Sequence, residues 1–362
     1  MSEPVMRRTP SGLSVDSLHK PTFRYHSPLA KALSLFSVLS VLAVAAAPIT
    51  ASALAADAPV LSIESPKAVS SLLLDVAHAG KRLVAVGDRG HILYSDDNGK
   101  SWTQAKVPTR QMLTAVFFID DKKGWAVGHD AQILASEDGG ATWTQQFEDL
   151  QREAPLLDVW FKDASTGFAV GAYGALLTTR DGGKNWEDVS DRLDNEDQYH
   201  LNAIAAVKDS GLFVVGEAGS MFRSADWGET WERLEGPYEG SLFGALGTAE
   251  PGVVIAYGLR GHLFRSADFG NTWETVPLKA GNGELEFGLS GGALLPDGSL
   301  VVVGHGGSVL KSTDSGRSFT VVNRSDRLSL ASVIADEKGN LILVGQGGVR
   351  VASPTGAELG QL

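Results

Sequence analysis

The stretch SEDGGATW, Ser136–Trp143, places a carboxylate, Asp138, in a tight turn and a tryptophan, Trp143, at its close. An acid beside an indole could protonate a sugar stacked on the ring, or contribute an oxygen to a calcium site. The same pattern returns with Asp97 and Trp102, Asp181 and Trp186, Asp226 and Trp231, Asp268 and Trp273, and Asp314 and Phe319. Six equivalent acids spread along a chain cannot converge on one substrate, and no copy carries the further oxygen ligands that calcium requires. The repetition therefore assigns each Asp to hydrogen bonds with its own turn's N–H groups. Gly140 and its counterparts suit a positive φ. The closing aromatic is large enough to fill a gap between neighbouring units, a burial of about 2–3 kcal/mol. Motifs for zinc proteolysis, serine hydrolysis and phosphate binding are missing, and no catalytic or metal residues are assigned.

The elements that carry these turns repeat with them. A Val-Gly step, Tyr-Gly in one copy, occurs at Val86-Gly87, Val127-Gly128, Val170-Gly171, Val215-Gly216, Tyr257-Gly258, Val303-Gly304 and Val344-Gly345. Each unit reads as four short strands. In the second these are Leu113–Asp120, Gly124–Gly128, Gln132–Ser136 and Thr142–Phe147, by alternation, β-branched and aromatic content, and Gly/Asp punctuation. Four strands in a unit of 40–50 residues indicate a propeller blade. The sequence predicts an all-β, seven-bladed β-propeller with four antiparallel strands per blade. Its seventh unit lacks a fourth strand, while Val60–Glu64 is strand-like and precedes the first. An N-terminal strand is therefore expected to complete the last blade and close the ring, removing an open edge.

Composition narrows the setting. The chain has 362 residues, 42 glycines, no cysteine and a formal charge of −12. The first 55 residues are basic on balance, so the remainder is more acidic still, which argues against nucleic-acid or anionic-membrane binding. Without cysteine there is no disulfide, thiolate metal site or cysteine nucleophile. Residues 1–55 read as an export signal. Lys31 ends its basic region, Ala32–Ala47 is its apolar core, Pro48 breaks the run, and Ala53-Leu54-Ala55 is a small-residue cleavage site. Sixteen apolar residues are short for a membrane span. Residues 56–353 form the expected propeller and 354–362 a tail, giving an exported, periplasmic or lumenal protein with no span after cleavage.

The turn Ser/Thr-x-Asp-x-Gly-x-Thr-Trp resembles the Asp-box of bacterial neuraminidase repeats. The fuller unit GWAVGHDAQILASEDGGATW, with Phe118-Ile119-Asp120 before it, is similar to the photosystem II stability/assembly factor family. That resemblance covers about Ser70 to Ser353 and implies an exported seven-bladed propeller. It further implies a non-catalytic assembly or stability factor for an envelope membrane-protein complex, with an arginine-rich patch that holds the partner. The alternative is a sialidase-like Asp-box glycosidase or a glycan-binding protein. Sialidases need three arginines, a Tyr–Glu pair and an early Arg-Ile-Pro signature, and the last is absent from this chain. Asp88, Asp130 and Glu217 lie on equivalent turns, which does not make them the facing carboxylate pair that glycoside hydrolysis requires.

If the Asp-box turns are joints, recognition falls to the opposite rim, where strands two and three turn and blades connect. The candidates there are Arg89, His91, Arg110, His129, Arg152, Tyr173, Glu217, Arg260, His262, His305, Arg324 and Arg327. Arginine forks and aromatic anchors are the usual centres of protein recognition. No cofactor is implied. Trp227 and Phe269 are candidate exposed aromatics on the Asp-box rim.

Overall fold

The computed structural model describes residues 60–359, and the expected export signal lies outside them. Seven antiparallel blade sheets follow one another along the described chain, each a meander whose strands pair in sequence order, with one extra two-stranded ribbon, Lys279–Ala280 and Gly283–Glu284, between the fifth and sixth. In the second blade the strands are Leu113–Phe118, Gly124–Gly128, Ile133–Ser136 and Thr144–Phe147. The innermost strands are Leu73–Ala79, Leu113–Phe118, Leu156–Phe161, Leu201–Val207, Leu242–Gly247, Leu289–Leu294 and Leu330–Ala335.

Second strands are buried along their whole length, as in Gly124–Gly128, except for Arg82 at the start of the first blade's. The period of two explains why. Trp125 and Val127 pack with Leu156, Val159 and Phe161 of the third blade, whereas Ala126 packs with Val84 and Val86 of the first. Each strand thus has two apolar faces, one for each neighbouring blade. Trp125 stacks on Phe161 at 3.4 Å between centroids.

The Val-Gly step has a steric cause. A Cβ on Gly128 would lie 2.2 Å from the Met112 carbonyl oxygen and 2.9 Å from the Leu113 Cα. The second strand meets the start of the innermost strand there, where the pairing shifts between Leu113 and Ala115. The same approach recurs at Gly87, Gly171, Gly216, Gly258, Gly304 and Gly345, so the glycine marks one crossing in every blade.

Six blades have four strands and the seventh has three, Leu330–Ala335, Leu341–Gly345 and Gly348–Ala352. The expected closure by an N-terminal strand is corrected. Val60–Glu64 is not part of a sheet and lies outside the first blade. Ser62 N–H donates to the Val107 carbonyl (2.9 Å), and the Gln104 amide bonds both Ser65 N–H and the Ile63 carbonyl. Arg110 donates to the Leu61 carbonyl (2.9 Å). These hooks on blade one outcompete a free edge that offers only backbone. The seventh blade is instead met by its own tail, through an antiparallel bridge between Ala352 and Glu358. The intervening turn is a reduced Asp-box, in which the Thr355 and Ala357 N–H groups both donate to Ser353 Oγ. Closure of the ring is apolar: Leu73, Leu83 and Leu93 of blade one pack with Ile334, Ile342 and Val344 of blade seven.

Candidate functional site

The six Asp-box acids are engaged within their own turns. Asp138 Oδ1 accepts from Ser136 Oγ (2.9 Å) and Thr142 N–H (2.9 Å), and its Oδ2 accepts from Thr142 Oγ1 (2.6 Å). Ser136 Oγ in turn accepts from Gly140 N–H (2.9 Å). Equivalent bonds hold Asp97, Asp181, Asp226, Asp268 and Asp314. These donors favour the ionised form. Side-chain hydrogen bonds hold Asp97, Asp181 and Asp226 down at about 2, and Asp138, Asp268 and Asp314 are also lowered despite the burial that opposes it. A carboxylate so depressed is a poor general acid at neutral pH.

The closing aromatics lie between blades. Trp143 belongs to the cluster shared with blade one, Trp102 to that shared with blade seven, and Trp186 to that of blades two and three. Trp231, Trp273 and Phe319 occupy the next three interfaces. Trp227 and Phe269 are half-buried, packed against Trp160 (5.9 Å) and Phe213 (6.1 Å) respectively, so local packing claims much of both rings.

On the opposite rim, the turn between strands two and three is a single 3-10 turn in the first six blades, with its middle and last residues both in the left-handed region. The middle position holds Arg89 (φ 56°), Asp130 (59°), Tyr173 (55°), Ala218 (51°), Arg260 (57°) and Gly306 (65°). Arg327, in the connection between blades six and seven, has φ 51°. Left-handed backbone costs a residue with a Cβ roughly 1–2 kcal/mol, and Gly306 shows the relaxed choice at the same place. Non-glycine residues adopt left-handed backbone in the Asp-box turns as well, at Asn98, Trp227, Phe269 and Ser315. Tyr173→Gly is expected to raise the thermal midpoint by about 1–3 °C through relief of roughly 1 kcal/mol. Thermal melts of the two proteins side by side check this, and a lowered midpoint would show that Tyr173 is held for packing.

The twelve rim candidates do not form one patch. Arg89, Arg260 and Arg327 are exposed, as are His129, His305 and Tyr173. Arg152 is tied to Asp188, and Arg110 is spent on the Leu61 carbonyl. Arg324 is buried, with its contact to Asp326 at 3.2 Å, and Arg350 shares that carboxylate at 3.1 Å. His91 is buried against Ser71 Oγ (3.2 Å), and burial lowers its pKa. His262 lies beside Tyr238 (4.4 Å) and is also lowered by desolvation. Tyr173 stands edge-on to His200 (5.0 Å), whose Nδ1 is 3.6 Å from Glu217. The structure thus brings Tyr173, His200 and Glu217 together across blades three and four. No group of three acidic or imidazole side chains able to hold a metal occurs among the described residues.

One feature of the ring's centre is not apparent from the repeat pattern. The seven innermost strands surround a cavity of about 560 Å³ lined by Asp75, Asp158 and Tyr257 together with Phe117, Trp160 and Phe243. Asp75 accepts from Val76 N–H and, across the blade boundary, from Val116 N–H (2.8 Å). Asp158 accepts from Val159 N–H and, across the next but one boundary, from Ile204 N–H (2.9 Å). Desolvation raises Asp75 to about 6 and Asp158 to about 7, the latter helped by the charge of Asp75. Tyr257 reaches the cavity from a second strand. Its hydroxyl oxygen lies 2.4 Å from where a Cβ of Gly244 would be. The signal was present in the sequence: Tyr257 replaces the valine of the Val-Gly step, and Gly244 and Gly291-Gly292 break the innermost-strand pattern.

The model of a family described as photosynthesis system II assembly factor YCF48 matches residues 96–155 and 144–281, a span of just over half the chain. No curated protein matches the sequence significantly. A solved structure titled "YCF48 bound to D1 peptide" is similar at 19% identity and TM-score 0.61, covering 79% of this chain and 94% of that one. YCF48 from Cyanidioschyzon merolae is similar at 17% identity and TM-score 0.62, covering 79% and 96%. A streptogramin B lyase reaches TM-score 0.65 at 9% identity, covering 80% and 96%. At these identities the solved structures speak for the fold alone.

Proposed function

The chain belongs to the photosystem II assembly factor YCF48 family, and from that premise we propose that it is a non-catalytic assembly or stability factor for an envelope membrane-protein complex. It would act by holding an exposed segment of a membrane-protein subunit on the rim opposite the Asp-box turns. The observation that carries this reading is the set of exposed Arg89, Tyr173, Arg260 and Arg327 side chains kept in left-handed backbone on that rim. The relative solved with a D1 peptide supports a peptide from a membrane protein as the kind of ligand. Export to the periplasm or its lumenal equivalent is part of the proposal and rests on residues 1–55. No helix among the described residues is long and apolar enough to cross a membrane.

Arginine suits this role because its planar fork bonds carboxylates and carbonyl oxygens with little reorganisation. Arg260 has no ion-pair partner among the described residues, and Arg89 only a 3.3 Å contact with the adjacent Asp88. The double change Arg89→Glu, Arg260→Glu is expected to weaken capture of the partner from crosslinked envelopes at least about tenfold. The melting temperature should stay within about 2 °C, because both side chains are exposed. Undiminished capture by the double variant excludes this face. The glycosidase alternative predicts turnover of polysaccharide that one carboxylate change abolishes, and a hydrolysis screen separates the two.

A further inference from the structure

We propose that the axial cavity binds an aliphatic diamine or polyamine, whose ammonium groups are held by Asp75 and Asp158 with the Tyr257 hydroxyl as a further oxygen ligand. The inference is independent of the proposed role of the rim. It begins with a charge imbalance: two carboxyls line the cavity, and no Lys, Arg or His is among its described lining residues. Like charges confined in one cavity without a counter-charge favour taking up a proton or a cation.

The carboxylates are not needed merely to join blades. Thr114 Oγ1 donates to the Leu156 carbonyl (2.6 Å), and Asn202 Nδ2 donates to the Leu242 carbonyl (2.8 Å). Those neutral side chains bridge blades from the preceding inner-strand position by donating to a carbonyl, whereas the two acids bridge them by accepting from an N–H. At the position of Asp75 and Asp158 itself, other blades carry Ala115, Ala203 and Gly244 and still pack. The N–H groups that Asp75 and Asp158 serve require an acceptor oxygen but not a full negative charge. A carboxylate has about four lone-pair sites, and the two backbone bonds at Asp158 leave some of them open to the cavity.

Tyr257 supplies the second, independent observation. It is 2% exposed, yet its hydroxyl makes no hydrogen bond to any described residue and is directed at the cavity. The ring is buried while the hydroxyl oxygen is left facing the cavity space, free to take a partner there. Its partner here would be the ligand, to which the phenol oxygen presents lone pairs. The aromatic walls at Phe117, Trp160 and Phe243 favour an organic cation, since π faces attract ammonium groups and the apolar surface covers methylenes. A bare divalent metal is disfavoured because no third acidic or imidazole ligand is within reach among the described residues.

The titratable groups of the described lining are Asp75, Asp158 and Tyr257, so protons and amine compete for the two acids. The test is calorimetric titration of the full chain with 1,4-diaminobutane in 150 mM NaCl, which screens adventitious pairing with the acidic surface. At pH 8 we expect one site per chain, with butylamine at least about tenfold weaker. At pH 6.5 the heat should depend on buffer ionisation enthalpy, because binding expels protons. Asp158→Asn should abolish binding, and Tyr257→Phe, which keeps the ring and its packing, should weaken it about three- to tenfold. Absence of binding by the unaltered chain overturns the proposal. So does equal binding by Tyr257→Phe, or calcium binding where the diamine does not bind. Should Asp158→Asn fail to fold, the Tyr257→Phe titration and the proton release decide the matter.

Discussion

Replacing Trp143 by Ala is expected to cost about 3–5 kcal/mol of unfolding free energy, the range for truncating a buried large aromatic. For a domain of this size that lowers the thermal midpoint by roughly 10 °C. Trp143 is 5% exposed and sits among Val84, Val86, Leu113 and Val116 at the interface of blades one and two. Its ring meets Phe118 edge-on at 5.9 Å, and its indole N–H donates to the Gly140 carbonyl at 3.0 Å. The substitution therefore removes apolar burial, an aromatic contact and a hydrogen bond, and leaves a cavity that two packed sheets cannot close. Trp186, Trp231 and Trp273 occupy equivalent interfaces, but their buried indole nitrogens have no acceptor, so each is expected to cost less. Equilibrium denaturation of Trp143→Ala and Trp273→Ala checks both the size and the order. A loss below about 1 kcal/mol at Trp143 would sink the wedge.

What could be read from sequence depended on whether the cause was local. The Asp-box depends on residues within eight positions, so its spacing fixes both the turn and the aromatic that follows. The Val-Gly step marks a backbone crossing that every blade must make, and seven repetitions expose it. Ring closure is different, because the choice between two edges rests on Gln104 and Arg110 meeting residues some forty to fifty positions away. Nothing in the strand-like run Val60–Glu64 encodes that competition. The rim was legible as a location but not as a set of partners. Arg152 and Arg324 look like Arg89 and Arg260 in sequence, and only the fold shows that Asp188 and Asp326 claim them. Asp75 and Asp158 escaped notice because an acid in an alternating strand reads as solvent-facing. In a closed ring the side away from a blade's core is another enclosed space.

That enclosure carries the second large effect, a loss of stability as the pH rises from about 4 to 8. Asp75 and Asp158 titrate at about 6 and 7 in the folded chain against about 3.8 when unfolded. The folded state binds their protons more tightly, so the stabilisation is complete below pH 4 and disappears as the pH rises through 6 and 7. Shifts of this size correspond to roughly 3 and 4 kcal/mol, upper bounds that water in the cavity reduces. The Asp-box carboxylates work in the opposite sense. Their pKa values are depressed, so their contribution is present above about pH 4 and is lost as the pH falls toward 2. Stability should therefore peak in the mildly acidic range between the two sets and decline on both sides. Asp75→Asn, Asp158→Asn removes the alkaline decline and leaves the acidic one, because asparagine still offers one acceptor to the backbone N–H groups but carries no charge. Urea denaturation at half-unit steps from pH 3 to 8.5 measures the profile. If the double variant declines between pH 5 and 8 as steeply as the parent, the axial acids are not its cause. A diamine in the cavity would hold both carboxyls ionised, so adding 1,4-diaminobutane should raise stability at pH 8 and have little effect at pH 5.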